Sequence, residues 1–223
     1  MIGYHLPDAD QHAPRPHDLL WITDPAALSV TCPLPPWATA AWLARAPLVM
    51  RRELVSDPDY IPVGLRGTHR SQRAKAYLAR QAVARCVTPE QLVSGAAWHR
   101  HSQSRLCAFP AFKALATLAP SLLASGLCWG PTGSVGFALA SGLPVLRLES
   151  DLDLIVRACK PLSTAQTALL LALSAASICR IDIQIETGHG AFSLSEWTNG
   201  HRRVLLKTDH GPLLTEDPWR QIA

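Results

Sequence analysis

Three aspartates at two places in the chain have the residue type and spacing to hold a hard metal cation. Asp151 and Asp153 lie in the alternating run DLDLIVRA (151–158), which reads as a strand. Residues i and i+2 of a strand share a face, so the two carboxylates project together about 7 Å apart along the backbone. A second alternating run, CRIDIQIET (179–187), sets Ile181, Ile183 and Ile185 on one face and Asp182, Gln184 and Glu186 on the other. With Asp182 as a third carboxylate, and Glu186 on the same face as its alternative, the set offers oxygen ligands to two divalent cations such as Mg2+, with substrate phosphates completing an octahedral shell. Without metal, clustered carboxylates repel and raise one another's pKa. Upstream, Gly133 and Ser134 open GSVGFALASG (133–142), a tight turn into a helix ending at Gly142. Free backbone N–H groups and the helix dipole at such a turn bind phosphate.

These residues need elements to position them, and the second half of the chain supplies them in order. PAFKALATLAPSLLASG (110–126) reads as a helix ending at Gly126, and LCWG as a short strand. The Gly-Ser turn and its helix follow, then the DxD strand, a long apolar helix capped by Ser163, and the R-I-D-I strand. The first half reads as a small α+β module: apolar stretches HDLLWI (17–22), PLVMRR (47–52) and YIPVGLRG (60–67), proline-rich turns, and a helix at 36–44. THRSQRAKAYLARQAVARC (68–86) predicts a helix with Arg70, Arg73 and Arg80 close to one face and Tyr77 between them. Thr88, with Pro89 at the first helical position and Gln91 three residues on, has the form of a capping box. The fold class is therefore α+β, with a small N-terminal domain over residues 1–88 and a mixed sheet with helices over 89–223.

Taken singly, these features have ordinary structural readings: DxD pairs occur in turns and solvated strands, and glycine followed by serine is a common helix N-cap. Their ordered combination is more specific. A Gly-Ser turn, a helix ending in Gly142, Ser150-Asp151-Leu152-Asp153-Leu154 and a later R-I-D-I strand together resemble the nucleotidyltransferase fold of the DNA polymerase β superfamily. The resemblance implies that Gly133 and Ser134 hold the terminal phosphates, Asp151 and Asp153 both metals, and Asp182 the metal on the nucleophile side.

Nearly the whole chain, from His17 to Trp219, resembles one family. The strings are HDLLWI, PLVMRR, IPVGLRG followed by R-x-x-R, GSVGFALASGLPVLRLESDLDL, RIDIQIETGHGAFSLSEW, LLKT-x-x-GP and DPW. They are similar to malonate decarboxylase holo-acyl-carrier-protein synthase, also called phosphoribosyl-dephospho-CoA transferase. The segment AAWHRHSQSRLCAFP (96–110) has no counterpart in that likeness. The resemblance implies a donor, 2'-(5''-triphosphoribosyl)-3'-dephospho-CoA, a serine acceptor on the acidic acyl-carrier subunit of malonate decarboxylase, and release of pyrophosphate. Transfer to a citrate-lyase-type carrier, RNA or a small molecule keeps the fold and changes the acceptor. A binding module without activity is the reading of another class, and the presence of all three carboxylates weighs against it.

Composition narrows the rest. With 223 residues, 48% hydrophobic, the chain can bury a core of its own. The apolar runs near 114–128 and 168–178 fall short of the roughly 20 residues a membrane span needs. The start, MIGYHLPDADQHAPRPHD, lacks the form of a secretory signal, so the expected location is the cytoplasm. Six cysteines without CxxC spacing indicate neither a zinc site nor a disulfide framework. The net charge of +4 arises in residues 1–110, which hold 12 Lys+Arg against 8 Asp+Glu. A basic face over Arg66 to Arg85 suits docking of an acidic carrier, or the donor's phosphates, or solvent alone. No long basic stripe with interleaved aromatics is present, so nucleic acid is not the expected partner. Arg147, just before the DxD strand, is a candidate triphosphate contact. Lys160, Lys207 and His189 have surface readings beside their phosphate-binding or catalytic ones. His17-Asp18 reads as a structural pair because adjacent side chains on extended backbone point apart. The tryptophans, Trp21, Trp129, Trp197 and Trp219 among them, read as core packing.

Overall fold

The computed structural model describes residues 13–94, 104–200 and 202–220. The first twelve residues and most of the AAWHRHSQSRLCAFP segment lie outside the described residues. Two six-stranded sheets carry the fold.

The N-terminal sheet contains β1 (Leu19–Ile22), β2 (Leu28–Ser29), β3 (Leu48–Met50), β4 (Tyr60–Arg66), β5 (Arg73–Ala79) and β6 (Val83–Val87). Its order is β2-β5-β4-β3-β1-β6, antiparallel throughout. A short helix, α1 (Ala40–Leu43), starts where the Thr39 hydroxyl accepts from the Trp42 N–H at 3.2 Å. Leu20, Leu48, Ile61, Val63, Leu65, Ala76 and Leu78 form a core on one face.

The expected helix over 68–86 is absent, and β5 and β6 stand in its place. Ala, Arg, Lys and Gln favour a helix locally, but the segment also alternates with period two. Ala76 and Leu78 are buried while Arg73 and Lys75 are exposed. That pattern pairs with β4 from Tyr60↔Ala79 to Arg66↔Arg73, and the buried face outweighs propensity. Arg70 consequently lies in the hairpin loop, Arg73 on β5 and Arg80 in a short 3-10 turn, so the single arginine face does not exist.

The second sheet contains β7 (Cys128–Pro131), β8 (Leu152–Arg157), β9 (Ile181–Glu186), β10 (Ala191–Ser193), β11 (Val204–Thr208) and β12 (Gly211–Thr215), lying side by side in reverse sequence order. Only β8 and β9 run parallel; the remaining pairs are antiparallel. Among the described residues, five helices accompany it: α2 (Pro89–Ser94), α3 (Pro110–Ala124), α4 (Gly133–Ser141), α5 (Thr164–Ala175) and α6 (Leu194–Thr198). Capping boxes start two of them. The Thr88 N–H donates to Gln91 Oε1 at 3.0 Å and the Gln91 N–H to Thr88 Oγ1 at 3.2 Å; Ser163 and Gln166 do the same for α5. On α3, Ala111, Phe112, Ala114, Leu115, Leu118, Ala119 and Leu122 form a buried stripe at helical spacing. Helix α4 is buried from Ser134 to Leu139 and ends at Gly142 in the left-handed region, φ +69°.

The larger core joins the two sheets, since Leu19, Ala46 and Val87 pack with Leu152, Leu154, Ile183 and Ile185. Charges cross the same junction. Arg157 on β8 donates to Glu90 on α2, to the Asp18 carboxylate at 3.3 Å and to the Pro16 carbonyl at 3.3 Å. Asp18 is wholly buried and also accepts the Arg15 N–H at 2.8 Å, which gives the His17-Asp18 aspartate its structural role. Trp129 is buried, while Trp197 and Trp219 stack with Phe192 against the core. Among the described residues, no helix is long and apolar enough to cross a membrane.

Candidate active site

The parallel register brings the two carboxylate motifs together. Asp153 lies directly opposite Asp182, which puts their backbones about 4.8 Å apart. Asp151 sits just before β8. The turn after β7 is drawn against this pair, with the Thr132 N–H donating to the Asp153 carbonyl at 2.8 Å. Gly133 follows at φ +56°, and a Cβ there would stand 1.8 Å from Asp153 Oδ2. Both the left-handed backbone and the approach of the carboxylate require glycine. Burial first, then the charges of Asp182 and Asp151, push the Asp153 carboxyl up, against the opposing pull of Arg66 and Arg73. Asp182 is more open and pairs with Arg180 at 3.0 Å.

Glu186, the alternative third carboxylate, is opposite Arg157, four residues along β9 and about 13 Å from the Asp182 position. Its carboxylate pairs with Arg52 and, like Asp18, serves the junction between the sheets. Asp182→Asn should therefore slow transfer at least about 10²-fold in single-turnover assays, the scale of a group that helps activate a nucleophile. Glu186→Gln should instead act mainly on stability. A larger rate loss in Glu186→Gln would exchange the two roles.

Between the sheets runs a cleft of about 720 Å³. Thr132, Gly133, Phe137, Asp153 and Gln184 line one side, and His17, Arg51, Arg52, Arg66 and Arg73 the other, with Lys207 beside β12. Arg66 is 8% exposed, its guanidinium 5.5 Å from the centre of the Phe137 ring. Burial and neighbouring Arg73 lower its pKa to about 10. Its Nε and the Nη1 of Arg51 are buried without a hydrogen-bond partner among the described residues. Such a cleft, with arginines along one wall, suits a polyanion.

Two family profiles match the chain: Phosphoribosyl-dephospho-CoA transferase MdcG N-terminal domain over residues 15–89 and the corresponding C-terminal domain over residues 92–218. A phosphoribosyl-dephospho-CoA transferase of Pseudomonas putida is 45% identical over 208 residues, covering 93% of this chain and 96% of that protein. One from Klebsiella pneumoniae is 43% identical over 211 residues, covering 93% and 97%. Another, from Azotobacter vinelandii, is 42% identical over 214 residues, covering 94% and 96%. The chain belongs to the phosphoribosyl-dephospho-CoA transferase family. No solved structure shows a significant match to it.

In this phosphoribosyl-dephospho-CoA transferase family member, the expected site residues fall into two groups. Gly133 and Asp153 line the cleft, and Asp151 and Asp182 flank Asp153. Ser134 is buried in the first turn of α4. Arg147 is outside the cleft lining, where its guanidinium meets the Thr68 carbonyl at 3.3 Å and His69 Nδ1 at 3.0 Å. Lys160 and His189 are exposed and also outside it, whereas Lys207 lines it. Sequence reasoning missed Arg51 and Arg52 as cleft residues, gave Arg73 to a helix face and counted Arg66 only within the basic segment Arg66 to Arg85. The available signal was the period-two alternation of Arg73, Lys75 and Tyr77.

The three aspartates supply only carboxylate oxygens, the donor type that hard divalent cations prefer, and the Asp153 carboxyl is raised by burial first and then by the charges of Asp182 and Asp151, a repulsion that a cation relieves. The donor chemistry thus fits Mg2+. Among the described residues, however, no three His, Cys, Asp or Glu side chains are gathered as a ready-made ligand set, and Asp182 is turned to Arg180.

His17 adds a different kind of group to the cleft. Its backbone is in the left-handed region, φ +76°, where a non-glycine residue is uncommon. Burial, followed by the charges of Arg52, Arg157 and Lys207 and opposed by Glu90, lowers its pKa from 6.5 to about 4. Between these values the unfolded chain binds a proton that the folded chain does not, so stability falls as pH falls from 6.5 and levels below pH 4. At roughly 1.4 kcal/mol per pH unit the ceiling on this loss is about 3 kcal/mol. Denaturant unfolding from pH 7 to pH 4 should show this slope, and His17→Asn, which tolerates the same backbone, should flatten it.

Proposed function

We propose that the protein transfers phosphoribosyl-dephospho-CoA from 2'-(5''-triphosphoribosyl)-3'-dephospho-CoA to a serine of the acidic acyl-carrier subunit of malonate decarboxylase. The observation that carries this reading is the cleft in which Gly133 at the start of α4 and Asp153 on β8 face Arg66 and Arg73 of the N-terminal sheet. Family membership supports the donor, since the relatives are named for this group transfer. The order of the Gly-Ser turn, the DxD strand and the third-carboxylate strand supports a nucleotidyltransferase fold for residues 89–223. The separate antiparallel sheet supports treating residues 1–88 as a second domain.

In the proposed reaction the serine Oγ bonds to the α-phosphorus, the bond between the α- and β-phosphates breaks, and pyrophosphate departs with the electron pair. The serine proton passes to solvent. Gly133 and Ser134 hold the terminal phosphates with the N–H groups that open α4. Asp151, Asp153 and Asp182 are the residues that would hold Mg2+, which would supply neutralisation of the leaving phosphates and a lower pKa for the serine hydroxyl. Arg66 and Arg73 balance the negative charge from the opposite wall, and Phe137 keeps the Arg66 guanidinium in place.

The test is the intact mass of apo-carriers after incubation with the protein, Mg2+ and the triphosphoribosyl donor. The malonate decarboxylase carrier should gain one phosphoribosyl-dephospho-CoA group, with pyrophosphate released in equal amount. Modification of a citrate-lyase carrier alone would replace the acceptor, and an unchanged mass on both would overturn the reaction.

A further inference from the structure

A second recess, of about 360 Å³, adjoins the main cleft and is built entirely from the N-terminal sheet. Arg51, Arg66, Arg73 and Lys75 line it, with Gly64 among its apolar neighbours, and among the described residues no carboxylate does. Strand geometry explains the grouping. Arg73 and Lys75 share a face of β5, and across the ladder Arg66 is opposite Arg73 and Gly64 opposite Lys75. Like charges directly opposite one another on neighbouring strands are destabilising, so the sheet holds a repulsion that an anion would remove. Glu53 offsets part of it from the edge, pairing with Arg51 and accepting the Tyr77 hydroxyl at 2.6 Å. Among the described residues, Arg66 Nε and Arg51 Nη1 still have no partner although buried. Unmade hydrogen bonds to buried charged groups are costly, and a phosphate oxygen satisfies them.

We propose that this recess holds the diphosphate bridge of the donor's dephospho-CoA half, apart from the triphosphate end handled at Gly133 and Asp153. The inference depends on the donor proposed above, which carries phosphate in two separated places. Arg51, Arg66 and Arg73 line both the recess and the cleft, so one extended ligand can span them. Among the described residues the recess has no carboxylate in its lining, so its four cations suit a phosphate without a metal.

Calorimetric titration of the full chain in Mg2+-containing buffer tests this, with 3'-dephospho-CoA and the phosphate-free adenosine as separate probes. Lys75 lines the recess and not the main cleft. Lys75→Gln should weaken dephospho-CoA at least about tenfold, the scale of one charge-assisted hydrogen bond, and leave adenosine, which has no phosphate, unchanged. Gly64→Val should do the same by filling space, because a Cβ at Gly64 meets its nearest neighbour, Arg51 Cδ, at an ordinary 3.5 Å. Equal weakening of both probes, or dephospho-CoA affinity unchanged in Lys75→Gln, overturns the assignment while leaving the transfer reaction standing. Failure of wild-type protein to bind dephospho-CoA overturns the proposed donor and the recess together.

Discussion

Asp153→Asn should reduce prosthetic-group transfer by about 10³-fold or more, the upper range for loss of one preorganised charge that stabilises a transition state. The same substitution should leave the melting midpoint unchanged or raise it. Asp153 is the carboxylate against which Gly133 is drawn, and burial, Asp182 and Asp151 all disfavour its charge. Asparagine keeps the shape and removes the repulsion, so function and stability should move apart. Asp151→Asn should behave alike. Single-turnover assays on the apo-carrier, with thermal unfolding of the same samples, measure both effects. Near wild-type transfer by either variant would remove the two-cation reading.

Arg157→Met should have the largest effect on stability, about 3–5 kcal/mol by denaturant titration, the usual cost of breaking a buried ion pair from one side. The Arg157 side chain is 8% exposed and serves two carboxylates. Asp18 is wholly buried, and burial already raises its pKa despite the Arg15 N–H and the Arg157 charge. Burial also pushes Glu90 up, but the charge and hydrogen bond of Arg157, with Arg15, outweigh it and leave that carboxyl below its ordinary value. Removing Arg157 strands both groups. Adding Asp18→Asn to the variant should recover part of the loss. Arg180→Met, which breaks an exposed pair, should cost no more than about 1 kcal/mol.

The strands that carry the aspartates were legible because apolar and polar residues alternate along them, and their neighbouring helices because caps and glycines mark the ends. Ser163 with Gln166, Thr88 with Gln91, and Gly142 are local signals that act within a few residues. The stretch from Thr68 to Cys86 was misread for the opposite reason. Its composition favours a helix, and the alternation that overrides this gains its energy only from β4, a partner that local propensity does not describe. The basic wall of the cleft was hidden in a similar way. Arg52, Arg66 and Lys207 come from distant points of the chain, and no spacing relates them until the sheets face each other.

The parallel pairing of β8 and β9 separates the freedom of the connection from the fixity of the carboxylates. Parallel neighbours require a crossover, here made through α5, whose single fully buried residue is Leu170. Asp153 and Asp182 are held side by side by the backbone ladder, which does not depend on how long or how regular the crossing chain is. Insertions and deletions can accumulate between Ala158 and Cys179 over evolutionary time without displacing either aspartate. A slip of one residue within either strand has the opposite outcome, because it turns the aspartate to the other face of the sheet. Drift is thus channelled into the crossover, and the two strands must change by substitution alone.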